Sequence, residues 1–305
     1  MATAQTTPHE YKLITELTDL QALVAQLQGY KEICFDTETT GFDYFRDRIV
    51  GMSFAVEPRK AWYVSFTPEN TPAFTEAVRP LFENEAITKV AQNIKFDMMV
   101  LARLGVEVRG RLIDTMIVHY LLDPESRHNM NYLAERYLRY TPIAIESLIG
   151  KGARQLTMDR VSVEQVKEYA AEDADITLQL FNVLRPQLEA ESALVELYHT
   201  VEEPMIAVLA DMEWTGVRID SAALGDYSAV LSQKLSSIEA EIREISGESD
   251  ININSSKQLG EMLFGKMRIT AKPKMTKTKQ YCTDEEYLQS FAGEHRVVDL
   301  ILEYR

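Results

Sequence analysis

The chain has 305 residues, 46% hydrophobic and 26% charged, with a formal net charge of −15. That composition supplies a sizeable core and excludes a disordered or fibrous protein. The opening MATAQTTPHEYK has no apolar h-region and no later run approaches a membrane span, so neither a secretory signal nor a transmembrane helix is expected.

A short extended piece leads into LTDLQALVAQLQG, whose apolar residues recur at helical spacing and whose glycine closes the helix. Residues 31–41, KEICFDTETTG, read as a buried strand: Ile33, Cys34 and Phe35 are apolar and β-prone, and Gly41 stops the run. RIVGMSFAVEPRKAWYVSF predicts a hairpin turning at Glu57-Pro58-Arg59-Lys60. A helix over TPAFTEAVRPLFENEA, a short strand at TKVAQ and a helix over NIKFDMMVLARLG follow. RLIDTMIVHYLLDP and NMNYLAERYL predict two more helices. This order implies an α/β fold, a mixed sheet flanked by helices.

ESLIGKGARQLTMDRV, with two glycines and few core residues, predicts a mobile surface loop. A long helix then runs from SVEQ to QLEA, with Ser162 and Gln165 spaced as a capping box. A second, mostly helical unit is expected from about Leu197, giving domains 1–196 and 197–305. In it Asp220 should cap a helix from Ser221 to Ile245, and Thr283-x-x-Glu286 should cap a later one. The last helix leaves Val297, Val298, Leu300, Ile301 and Leu302 without a visible partner, which predicts an exposed apolar face on a fragment of something longer.

Four acids stand out. Asp36 and Glu38 are two apart, so on a strand they leave one face. Held side by side they repel unless a cation lies between them; a strand running into a solvated acidic turn is the other reading. Asp97 lies in the first turns of an apolar helix, where the helix dipole also favours an acid. Tyr169 stands four residues before Asp173, so phenol and carboxylate share a helix face, although the tyrosine could equally be a packing residue. Glu172 and Asp175 lie off that face and are expected to be solvated.

Residues 265–281 hold Lys266, Arg268, Lys272, Lys274, Lys277 and Lys279 and no acid. A basic segment on an acidic chain suits phosphate contact at one place; a solvated lysine-rich loop is the alternative. The two cysteines, Cys34 and Cys282, have no metal-type neighbours, which fits a reducing cytoplasm. Gly260-x-x-x-x-Gly265-Lys266 imitates a phosphate loop, but Met267 stands where Ser or Thr is needed.

FDTETTG, QNIKFD and YAAEDAD resemble, in order and approximate spacing, the three motifs of the DEDD 3′→5′ exonucleases, and Tyr169 places the resemblance in the tyrosine subclass. The similarity to the proofreading domain of bacterial family A DNA polymerases extends through GKGARQLT and VEEPMIAVLADMEWTGVRID to TKTKQYCTDEEYL, so it covers nearly the whole chain. It implies a ribonuclease H-like sheet, followed by the opening of a polymerase domain and its thumb.

The resemblance further implies two divalent cations. Four carboxylates without His or Cys favour Mg²⁺ or Mn²⁺. Asp36 would bridge both ions, Glu38 and Asp173 would complete the water-activating site, and Asp97 would serve the other. Tyr169 and Glu38 would aim the water as catalytic residues. Thr39 and Phe42 would meet the terminal base, and Gln92, Asn93 and Phe96 would line the strand path. The six basic residues of 265–281 would grip duplex. The partners implied are DNA, as a single-stranded or frayed 3′ end, and the rest of a polymerase chain. The palm aspartates of such a polymerase are absent here, so nucleotide addition is not expected. The work would be cytoplasmic, on a bacterial chromosome. A ribonuclease-D-like enzyme acting on RNA 3′ ends would share the five site residues, and a catalytically silent polymerase domain is a third reading.

Overall fold

The computed structural model describes residues 1–305, apart from the side chain of Ala153. The chain packs as two compact units, 1–216 and 217–305.

The first unit is built on a six-stranded mixed sheet. Its strands are β1 (Glu10–Ile14), β2 (Glu32–Thr39), β3 (Ile49–Glu57), β4 (Lys60–Ser65), β5 (Thr88–Ala91) and β6 (Leu112–Asp114), in the spatial order β1-β4-β3-β2-β5-β6. The β2-β3-β4 ribbon is antiparallel, and β1, β5 and β6 add parallel strands outside it. β6 is an addition to the sequence reading, which runs its residues into the following helix. Three residues carry too little pattern to announce a strand; pairing with β5 makes them one.

Alternation along β2 decides what faces what. Ile33 and Phe35 join a core with helices α1 (Leu17–Leu27), α2 (Thr71–Phe82) and α3 (Ile94–Arg103). Cys34 points the other way, into a core formed with α7 (Val163–Glu189), whose Ala170, Ala171 and Ala174 let the helix lie close to the sheet. Asp36 and Glu38 continue the Cys34 side, and Thr37 continues the Phe35 side. The β2–β3 ladder shifts register between Glu38 and Thr39, a bulge where the strand reaches the cleft described below. Opposite Glu38 stands Gly51, and a Cβ there would lie 2.2 Å from the Tyr63 ring, so only glycine fits.

The other face of α7 packs on α4 (Thr115–Leu122), α5 (Met130–Leu133) and α8 (Ser192–Leu197) through Ile176, Leu180, Leu184 and Leu188. With both sides covered, Glu172 and Asp175 are buried, against the expectation that they are solvated. Glu172 accepts from the Tyr140 hydroxyl (2.5 Å) and the Ile143 N–H (2.6 Å). Asp175 accepts from the Tyr11 hydroxyl and the Arg59 N–H, both at 2.7 Å. These acids anchor a non-helical stretch and the hairpin turn to the helix. At its start, Ser162 donates to Gln165 Oε1 (2.7 Å) and makes no backbone cap bond, so the expected capping box does not form.

The stretch expected to be a mobile surface loop contains α6 (Ile145–Ile149) and two single helical turns. Ile149 and Met158 are buried from it, which anchors it to the body. Residues 197–216 also pack in the first unit: Tyr198 is buried beside β6, and Ile206 of α9 (Glu203–Thr215) joins the core of the sheet.

The second unit is helical: α10 (Ser221–Ser246), α11 (Ser256–Gly260, continued by a wider turn to Lys266), α12 (Glu285–Gln289) and α13 (Arg296–Tyr304). Asp220 caps α10 as expected, accepting from the Ala223 N–H at 2.9 Å. The cap of α12 is Asp284, accepting from the Tyr287 N–H at 2.8 Å, one residue beyond the expected Thr283. The expected exposed face of α13 is a further correction. Val297, Val298, Leu300 and Ile301 are buried against Ile238 and Ile242 of α10, Leu263, Phe264 and Leu288, and Leu302 packs beside them. The partner is local chain that the sequence pattern does not reveal. The phosphate-loop imitation is helical, and Gly260 serves close packing: a Cβ there would lie 2.7 Å from Tyr281 Cβ.

Candidate active site

The carboxyl end of β2 opens into a cleft of about 420 Å³. β2 supplies Asp36, Glu38 and Thr39, the following loop Phe42, α3 Phe96, and α7 Tyr169 and Asp173. The segment over 149–158 closes one wall. Carboxylate oxygens of Asp36, Glu38 and Asp173 lie within 4.8 Å of one another. They meet because β2 turns both its acids toward α7, and α7 presents Asp173 one turn beyond Tyr169.

Asp97 is placed differently. It reaches β2 from the α3 side, and its Oδ1 accepts from the Thr37 N–H (2.9 Å) and the Thr37 hydroxyl (2.6 Å). It therefore lies beside Asp36 but outside the tight group of three. The expectation of one pocket for all four acids is met by three of them, with the fourth approaching across the strand.

Electrostatics follow from burial first and crowding second. Burial pushes the Asp36 carboxyl up to about 7. Glu38 is raised by burial and then by Asp36, Asp173 and Asp97. Asp97 is raised by burial and by Asp36, against the two Thr37 hydrogen bonds that hold it down. Asp173 is raised by burial and Asp36, and the Tyr169 hydroxyl works in the opposite direction. Burial and the neighbouring carboxylates also raise Tyr169, so its hydroxyl keeps its proton throughout the neutral range.

The donor set fits a divalent cation. Asp173 Oδ1 is buried and has no hydrogen-bond partner, although 5% of the residue is exposed. A carboxylate oxygen in that position is costly unless protonated or neutralised. With two more carboxylates within reach and no nitrogen or sulfur ligand among them, a hard cation is the natural counter-charge.

Phe42 is 87% exposed at the mouth of the cleft, and Phe96 lines the same cleft. Gln92 and Asn93 do not line it. Gln92 is engaged in holding structure: its Nε2 donates to the His128 carbonyl (2.7 Å) and its Oε1 accepts from Thr115 (2.5 Å). Asn93 sits in the left-handed region (φ 65°) as the residue before α3. Of the six basic residues, all lie in the second unit; Lys266 pairs with Glu248 at 2.5 Å, and Lys274 lies over the Tyr287 ring.

Three residues that sequence reasoning passes over support this site. Thr37 holds Asp97. Asp114, at the end of β6, accepts from the N–H groups of Asn93 (3.1 Å), Ile94 (2.9 Å) and Met116 (2.9 Å), and so caps both α3 and α4. Glu213 of α9 accepts from the Tyr44 hydroxyl (2.9 Å) and pairs with Lys95, tying the Phe42 loop to the start of α3. Only Thr37 carries a sequence signal, its place between the two strand acids.

The 3′-5′ exonuclease family model matches residues 11–189, and the DNA polymerase family A model matches residues 221–305. DNA polymerase I of Pseudomonas aeruginosa is 36% identical over 97% of this chain and 34% of its own length. The Rhizobium leguminosarum and Chloroflexus aurantiacus enzymes of the same name are also 36% identical, over 93% and 98% of the chain. The chain spans about a third of the length of these relatives. A solved structure, the POL domain of Pol1 from M. smegmatis in complex with DNA primer-template and dNTP, superposes with a TM-score of 0.74 over 96% of this chain and 47% of that one, at 22% identity, a likeness of fold. The chain belongs to the 3′-5′ exonuclease family, and its last 85 residues carry the match to DNA polymerase family A.

Proposed function

We propose that the chain removes nucleoside monophosphates from DNA 3′ ends, as the proofreading part of a family A DNA polymerase. The observation that carries this reading is the meeting of Asp36, Glu38 and Asp173 within 4.8 Å, with the Asp173 Oδ1 left unpaired. Asp36, Glu38, Asp97 and Asp173 would hold two divalent cations, Mg²⁺ or Mn²⁺. Such ions, when bound, lower the pKa of water and stabilise charge on the leaving 3′ oxygen.

The chain's own groups do the rest. Glu38 accepts a hydrogen bond from the attacking water and the Tyr169 hydroxyl orients it. Tyr169 is no general base, because its raised pKa keeps the proton on oxygen. Phe42 and Phe96 offer apolar faces on which terminal bases stack, and Thr39 borders the same space. Stacking accepts every base, so the selection is for an end that frays: an unpaired terminus reaches the cleft at less cost than a paired one. Gln92, bonded to the His128 carbonyl and to Thr115, and Asn93, at the start of α3, would support the strand path from behind. Lys266, Arg268, Lys272, Lys274, Lys277 and Lys279 would contact duplex phosphates as part of a thumb, beginning a polymerase domain after an exonuclease domain of 1–196. In the longer chain the work is cytoplasmic, on the bacterial chromosome.

The test is trimming of 5′-labelled single-stranded DNA on a gel. Mononucleotide release with Mg²⁺ and none with EDTA or with Asp36→Asn is expected. Equal activity of the variant would end the metal reading. Digestion of RNA but not DNA would move the chain to the ribonuclease-D-like class, and no digestion of either would make it a silent domain.

A further inference from the structure

We propose that Thr37 is a positioning residue that fixes which oxygen of Asp97 can serve a cation. The inference rests on the metal-dependent reading above and concerns one residue of that site. Thr37 stands between Asp36 and Glu38 in β2, so its side chain leaves the opposite face, toward α3. Along the edge of β2 that pairs with β5, the ladder ends at Cys34, paired with Val90. Beyond it, the Thr37 N–H is taken by Asp97 Oδ1 at 2.9 Å, and the Thr37 hydroxyl donates to the same oxygen at 2.6 Å.

Both residues are buried, Thr37 at 6% and Asp97 at 2% exposed, so the carboxylate cannot turn without losing two hydrogen bonds in a dry setting. With Oδ1 engaged twice, Oδ2 is the oxygen left for a cation. One tripeptide of β2 therefore does two jobs: its outer residues supply carboxylates on the α7 face, and its middle residue orients the acid arriving from α3. Serine could supply the hydroxyl. Valine has the shape of threonine but leaves Oδ1 with the N–H alone.

The experiment is titration of the 305-residue chain with Mn²⁺ alone, free ion being read by electron paramagnetic resonance. Thr37→Val should weaken one of the bound ions by about ten-fold or more, as loss of a partner that orients a metal ligand does, and leave the other unchanged. Thr37→Ser should bind within about two-fold of the parent on the same reasoning. In an Asp97→Ala background, Thr37→Val should change nothing further, because the residue it acts through is gone. Thr37→Ala is read the same way should the valine variant not fold. Parent-like binding by the hydroxyl-less variant, weakening that persists without Asp97, or serine as poor as valine would each overturn the proposal. A parent chain that binds no Mn²⁺ would instead overturn the metal reading itself, and the proposal with it.

Discussion

The Asp114 carboxylate accepts the Ile94 N–H at 2.9 Å, so the last residue of β6 caps the helix that carries Asp97 and Phe96. The same carboxylate caps α4 through the Met116 N–H. Two helix starts thus depend on one buried side chain. Each cap is worth about 1 kcal/mol, and the amides released are buried. Asp114→Ala is expected to lower stability by about 2–3 kcal/mol on that basis, with Asp114→Asn losing less. Urea unfolding measures both; a change under about 0.5 kcal/mol, the scatter of ordinary surface substitutions, would show that the caps are redundant.

Without cations, burial and then the neighbouring carboxylates raise the pKa of Glu38 and Asp173, so keeping these charges together opposes folding. Asp36→Asn removes the charge that both Glu38 and Asp173 feel. In EDTA it is expected to melt higher than the parent by a few degrees, an effect of about 1 kcal/mol, while losing mononucleotide release. Calorimetry in EDTA beside the gel assay checks the opposed signs. A variant both inactive and less stable would mean that the acids help hold the fold.

Tyr169→Phe keeps the ring and removes the hydroxyl. The expected outcome is a fall in kcat of about ten- to a hundred-fold, the scale of a misplaced reactant, with little change in KM. Because the hydroxyl stays protonated, the alkaline side of the parent's pH profile should carry no step that the variant lacks. A step lost with the hydroxyl would make the tyrosine a base.

Phe42→Ala tests the stacking surface. The ring is 87% exposed, so the melting temperature should not move. Affinity for a single-stranded 3′ end should fall by the equivalent of about 1–3 kcal/mol, the worth of one stacked base. Unchanged binding would place the strand elsewhere.

Lys89 is fully buried in β5, and its amine donates to the carbonyls of Asn84 and Arg109, both at 2.6 Å. Burial pushes it down to about 8. Between that value and the ordinary lysine range near 10.4, the unfolded chain holds a proton that the folded chain has released. Stability should therefore rise with pH across that window. Comparison with Lys89→Met isolates the contribution of this residue, since the other alkaline groups titrate in both; parallel stability curves would show the amine to be charged throughout.

The sequence by itself determined the local parts: the strand that ends in Asp36 and Glu38, the hairpin, the Tyr169-Asp173 turn of α7 and the capped start of α10. Each is written in neighbours a few residues apart, through strand alternation, helical spacing or a single cap. The tertiary structure decided what distance along the chain hides. It turned three residues into β6, covered both sides of α7 so that Glu172 and Asp175 became buried anchors, and gave α13 partners some sixty residues back in α10. It also brought Asp97 up to β2 from the α3 side, where Thr37 holds it beside Asp36 but outside the close group of three. Periodicity tells which face of an element is apolar, but which other element covers that face, and which buried donor takes each carboxylate, is settled only when the chain closes.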